Sequence, residues 1–103
     1  MNHFGYVFAT KMLVEGRRKV RYMYHEEVSD PQDSGWRFFC GDENQKYVED
    51  PENIRIYDIN TILEIDSSIA PFLTSPAGVA FERENENDTF TVSEGSSPGA
   101  EEN

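Results

Sequence analysis

The stretch Gly35-Trp36-Arg37-Phe38-Phe39-Cys40-Gly41 constrains the fold more than any other part of the chain. Between its two glycines stand three aromatic rings. Side chains of an extended segment alternate, so Trp36, Phe38 and Cys40 share one face and Arg37 and Phe39 the other. Bulk on both faces predicts a central strand. Gly35 permits a backbone turn at its start, after the turn formers Ser29-Asp30-Pro31-Gln32-Asp33-Ser34. Burying Trp36 and Phe38 contributes about 2–3 kcal/mol per ring by area, and Trp36, set among other aromatics, reads as a core residue. Arg37 is a planar fork able to hold a nearby carboxylate. Cys40, on an aromatic strand, reads as a small buried hydrophobe.

The remaining elements arrange themselves around this strand. Tyr6 to Thr10 is a short apolar run and a first strand. Lys11 to Lys19, with Gly16 inside it, reads as a connection. Val20 to Glu26 alternates Val20, Tyr22 and Tyr24 with Arg21, Met23 and His25, the period of a strand with one face buried. With Trp36–Cys40 it forms a hairpin closed by a long loop. Asp42-Glu43-Asn44-Gln45 has the form of a capping box, predicting a short helix to about Glu49. After a break at Asp50-Pro51-Glu52-Asn53, a strand runs from Ile54 to Asp58. Asp58 or Asn60 caps a helix ending at Ile65, and a second helical piece covers Ser67 to Leu73, with Pro71 early in it. Val79 to Glu82 is a last short strand, and Thr89 to Val92 is either one more edge strand or loose. The fold class expected is α+β: a small, mostly antiparallel sheet with two or three short helices. Residues 1–92 form a single domain, and 93–103, free of large apolar residues, form a disordered acidic tail.

Charge narrows the partners. The chain of 103 residues carries 20 acidic and 9 basic residues, a formal net charge of −11. Residues 1–24 hold five bases against one acid, 25–81 three bases against twelve acids, and 82–103 one base against seven acids. The excess therefore lies in the middle of the chain as well as at its end. Phosphate repels such a surface, so neither nucleic acid nor an anionic membrane is expected as partner. A basic protein fits better, because complementary charge speeds encounter. One cysteine allows no internal disulfide, no apolar run approaches the roughly 20 residues of a membrane span, and Met1 to Tyr6 lacks a signal-peptide layout. A cytoplasmic location is expected.

Catalytic chemistry has few footholds. The chain has no glycine-rich phosphate loop followed by Lys and Ser or Thr, and no Gly-x-Ser-x-Gly elbow. Cys40 with His25 or His3 is a formal cysteine–histidine pair, but Cys40 reads as structural. Two histidines and one widely separated cysteine do not make a zinc site. No cofactor, metal or enzymatic activity is expected.

Several segments together carry a resemblance. Met23-Tyr24-His25-Glu26, Asp33-Ser34-Gly35-Trp36-Arg37-Phe38-Phe39-Cys40-Gly41-Asp42-Glu43, Pro51-Glu52-Asn53, Tyr57-Asp58-Ile59-Asn60-Thr61-Ile62 and Ser75-Pro76-Ala77-Gly78-Val79-Ala80-Phe81-Glu82-Arg83 occur in this order. This run resembles a family of small bacterial domains, first catalogued without a function and later assigned to immunity proteins of polymorphic toxin systems. Cys40 stands where that family often has serine and His25 where it often has arginine. The resemblance covers Tyr6 to Arg83, and the chain after Arg83 has no counterpart in it. It implies an α+β domain that binds and blocks a cognate toxin, without catalytic residues.

Two functional expectations follow. In the first, Asp42, Glu43, Glu49, Asp50 and Glu52 form an acidic edge that meets a basic toxin, so reversing the charge of Asp42 and Glu43 slows association and weakens its salt dependence. In the second, a small-ligand-binding or regulatory domain, Trp36, Tyr24 and Tyr57 line a pocket in which Arg37 grips an anion.

Overall fold

The computed structural model describes residues 5–93. In chain order it contains β1 (Tyr6–Thr10), α1 (Lys11–Glu15), β2 (Tyr22–His25), β3 (Asp33–Phe39), α2 (Gln45–Glu49), a 3-10 turn at Pro51–Asn53, β4 (Ile54–Asp58), α3 (Ile59–Ile65), a 3-10 helix at Ser67–Phe72, β5 (Ala80–Glu82) and β6 (Thr91–Val92). The strands form one six-stranded sheet in the order β4-β1-β3-β2-β5-β6. Neighbours run antiparallel except β1 and β3, which are parallel. The fold is the expected α+β arrangement, with β3 inside the sheet.

Register decides what each face carries. Met23 lies opposite both Phe38 and Phe81, and Ala9 opposite Phe38. These residues join Val7, Trp36, Leu13, Ile62 and Ile69 in one buried core. Helices α1 and α3 cover this face: α3 buries Ile59, Ile62 and Ile65, and α1 buries Leu13. Trp36 is 1% exposed, donates its indole N–H to the Leu73 carbonyl at 3.3 Å and stacks on His25 with ring centroids 4.7 Å apart. Phe72 packs on Phe81 and Phe90, so the chain's return after β5 is pinned to the core.

Some details differ from the sequence expectation. The Lys11–Lys19 connection contains α1, because the Thr10 hydroxyl accepts the Leu13 N–H and caps a single turn. Helix α2 starts later than the capping box implies. Its cap is Asn44, accepting from the Tyr47 N–H, while Asp42 turns away to Arg18 and Arg21. Strand β3 begins at Asp33, ahead of Gly35. In β2 it is Met23 that enters the core, and Tyr22 and Tyr24 face the other way, opposite Phe39 and Arg37. Thr91 and Val92 do form an edge strand. Ser93, assigned to the tail, is buried and donates its N–H to the Ala80 carbonyl at 2.8 Å. The rest of the expected tail, 94–103, lies outside the described residues.

A buried ion pair ties the distal half together. Asp66 and Arg83 are each 4% exposed at the side chain and meet at 2.7 Å. Asp66 also accepts from the Val20 N–H and from the N–H and hydroxyl of Ser68, and Arg83 donates from Nε to the Val20 carbonyl. The Arg83 guanidinium lies 4.1 Å over the Phe90 ring. Removing one member leaves the other charge buried without compensation. Asp66→Ala is expected to lower the unfolding free energy by about 3–5 kcal/mol in urea denaturation, and a loss below about 1 kcal/mol would show the pair to be dispensable.

Candidate functional site

Of the five acids singled out from the sequence, Asp42, Glu49, Asp50 and Glu52 are exposed and Glu43 is half-buried. Asp42 is paired with Arg18 and, at 3.5 Å, with Arg21. Glu43 is folded inward: its carboxylate accepts from the Thr10 hydroxyl at 2.5 Å and from the Cys40 and Gly41 N–H groups at 2.9 Å each. Glu49 accepts from the Gln45 amide one turn earlier at 3.0 Å, and Asp50 caps the 3-10 turn through the Glu52 N–H. Glu52 is exposed and lines a groove with Phe8, Ile54, Arg55 and Ile56. A substitution at Glu43 therefore perturbs the turn that follows β3 as well as any interface.

The face of the sheet opposite the core is organised differently. Cross-strand partners share a face. Phe8 lies opposite both Ile56 and Arg37, Tyr6 opposite Asp58, Thr10 opposite Ile54, Tyr22 opposite Phe39 and Glu82, and Tyr24 opposite Arg37. The result is an aromatic and aliphatic surface running from β4 across β1 and β3 to β2. Its rings touch one another: Tyr6 and Phe8 meet edge to face at 5.9 Å, and Tyr24 stacks on Phe39 at 6.0 Å. Yet Tyr6, Phe8, Tyr24 and Phe39 are only partly covered, and Ile56 is 57% exposed. Phe8, Tyr24, Glu26, Arg37, Phe39 and Ile54 border a hollow of about 230 Å³ at its centre.

Arg37 forms the floor of that hollow. It is 7% exposed, its guanidinium sits 4.4 Å from the centroid of Phe8, and it binds Asp33 bidentately at 2.9 and 3.0 Å and Glu26 at 2.6 Å. Residues four apart on a regular strand are separated by roughly 13 Å, too far for such a contact. Gly35 shortens the path. Its φ is +87°, and the pairing of β1 with β3 shifts register between Tyr6 and Phe8, which marks a bulge. A side chain at position 35 would meet the Glu26 carbonyl at 2.4 Å. The bulge brings Asp33 back to Arg37, and the Asp33 carboxylate also accepts the Gly35 N–H. Burial by itself would lower the Arg37 pKa, but the hydrogen bonds to Asp33 and Glu26 outweigh it and raise it. The Arg37 hydrogen bonds hold Asp33 below its ordinary value of 3.8.

This geometry disassembles the ligand pocket considered from the sequence. Tyr57 lies opposite Val7 and packs on the core with Trp36, whereas Tyr24 is on the far side of the sheet. Arg37 is already held by two carboxylates. Cys40 and His25 do not pair either. His25 lies opposite Trp36, four residues before Cys40, roughly 13 Å away along the strand, and burial pushes the Cys40 thiol up from its ordinary value. Among the described residues, no group of three or more His, Cys, Asp or Glu is disposed to hold a metal ion, and no helix is long and apolar enough to cross a membrane. Sequence reasoning found Arg37 and its need for a carboxylate but missed the aromatic face. The available signal was that Tyr6/Phe8, Tyr22/Tyr24 and Ile54/Ile56 put large apolar groups at alternate positions of three different strands.

The architecture is that of a small α+β immunity domain: a family model described as the Immunity protein Imm33 domain matches residues 7–93. The chain belongs to this immunity protein domain family. The match continues beyond Arg83, where the sequence resemblance stopped, and takes in Phe90 and β6, which pack on the body. No curated protein and no solved structure matches the chain.

Glu43 and Asp33, both half-buried, make stability depend on pH. Burial raises the Glu43 carboxyl, but the Thr10 hydroxyl and the Cys40 and Gly41 amides reverse the sign and hold it below its ordinary value of 4.5. Asp33 is depressed likewise. A carboxylate whose folded pKa is lowered contributes stability above its unfolded pKa, and that contribution is lost as pH falls through the folded value. Thermal melts are expected to show a midpoint that is flat above about pH 5 and falls progressively below pH 4. Glu43→Gln is expected to lower the neutral-pH midpoint and shrink the acid-side fall. An unaltered acid-side slope in that variant would remove Glu43 from this role.

Proposed function

We propose that this chain is a toxin-neutralising immunity protein, which binds a cognate bacterial toxin and blocks it without chemistry of its own. The observation that carries the reading is the immunity-domain match across 7–93. The net charge of −11 supports a partner with a basic surface. The same charge makes nucleic acid and anionic membranes poor partners. Toxin and immunity protein meet in the cytoplasm in this reading. Of the five acids, Glu52 borders the exposed aromatic face directly. Asp42, Glu49 and Asp50 add to the field that attracts a basic protein, and Glu43 acts by holding the turn after β3.

The test is co-production with the toxin encoded beside this chain's gene. Cells making the toxin alone are expected to stop growing, cells making both to grow, and the two proteins to co-purify. Failure of both rescue and co-purification would contradict the reading.

A further inference from the structure

The sheet face opposite α1 and α3 is the place where a partner would gain most. Tyr6, Phe8, Tyr24, Phe39, Ile54 and Ile56 lie on it, and β4, at the edge of the sheet, exposes Ile56 to 57%. Contiguous apolar surface of this kind, rimmed by polar groups, marks interaction sites, and aromatic residues are enriched at the centre of interfaces. The charge at its centre is already matched, since Arg37 is held by Asp33 and Glu26 beneath Phe8. Covering this floor therefore strands no unpaired cation, which would otherwise oppose docking.

The border selects the occupant. Glu26 keeps 46% of its side chain exposed while holding Arg37. Asp30 accepts from the Tyr6 hydroxyl, Asp58 lies opposite Tyr6, Glu82 lies opposite Tyr22, and Glu52, with Arg55 beside it, lines the groove at Phe8 and Ile56, so acids outnumber bases among these border residues. The chain's own last ten residues, from Glu94 to Asn103, contain three acids and no base, the wrong sign to lie there. A second copy would set the same acids against each other. Like charges brought together across an interface are unfavourable, and opposite charges steer and orient.

Resting on the immunity reading, we infer that the open face of the sheet is the toxin-docking surface, and that it takes an apolar protrusion ringed by Lys and Arg side chains. The apolar centre supplies the affinity, and the acidic rim supplies the encounter rate and orientation.

The experiment measures the affinity of the full chain for the toxin domain encoded beside its gene, produced in a catalytically inactive form. Ile56→Lys and Phe8→Ala remove or repel the apolar centre. Glu64→Lys makes a larger charge change on an exposed position of α3, on the core side of the sheet. Lysine at an exposed edge position is well tolerated, so Ile56→Lys remains informative if Phe8→Ala unfolds. Each face variant that melts as a folded protein is expected to bind about 30-fold more weakly or worse, with Glu64→Lys close to the unaltered protein. If the unaltered protein binds and the face variants bind equally well, or Glu64→Lys is weakened as much as they are, the face assignment is overturned and the immunity reading stands. If the unaltered protein does not bind, both fall. A dimer in sedimentation that Ile56→Lys dissolves would put a second copy on the face and also overturn the assignment.

Discussion

Arg37 is clamped between Asp33 and Glu26 under the ring of Phe8, and both sides of the sheet depend on that clamp. A guanidinium in the middle strand of a small sheet would be a heavy desolvation cost if unpaired. Glu26 supplies one carboxylate from beyond the end of β2, and a second, from Asp33, lies four residues away on the same strand, out of reach if that strand is unbroken. The bulge at Gly35 brings it within reach and shifts the register against β1 at the same time. Trp36 and Phe38 are thereby committed to the core, and Phe39 and Tyr24 to the opposite side. Buried ion pairs are weak sources of stability, and here the Arg37–Asp33 pair coincides with the register shift between β1 and β3.

The sequence shows short-range structure well and long-range assignments poorly, for reasons that differ from residue to residue. Strand β1, strand β4 and the Asp58-capped helix α3 are legible because a local apolar pattern and a nearby cap suffice to define them. Helix α1 is not, because five residues are too few to show a period and the cap is a lone Thr10 hydroxyl. In β2 the alternation reveals a strand but not which side faces inward, since Met23 and the two tyrosines are all large and apolar. Only the pairing with Phe38 and Phe81 decides it. Asp42 looks like a helix cap until Arg18 and Arg21, distant in sequence, claim it. Glu43 looks like a surface acid until the end of β1 brings Thr10 to it. The aromatic face left a local signal, the alternating large apolar groups of β1, β2 and β4, but these become one surface only when β1 is set between β3 and β4.

In the proposed reading the chain acts by occlusion, which a core covered by α1 and α3 on one side and an aromatic surface on the other would suit. Occlusion needs no moving parts and no reactive groups, only a rigid surface of fixed shape and charge. The ion pairs of Arg37 and the ring contacts hold part of the face in place, which lowers the ordering cost of binding. The acidic rim gives reach beyond contact distance, limited by a screening length of about 8 Å at physiological salt. Membership of the Imm33 immunity protein domain family implies a toxin partner in general, and we propose that it docks on that surface.

The central claim is that one face of the sheet is built for the core and the other for a partner. Methyl cross-saturation from the bound, inactive toxin domain tests it most directly, because it reports proximity without altering any residue. The methyls of Ile54 and Ile56 on the open face are expected to lose intensity, while those of Leu63 on α3 and Val14 on α1 keep theirs. Loss at Leu63 and Val14 with Ile54 and Ile56 unaffected would contradict the account.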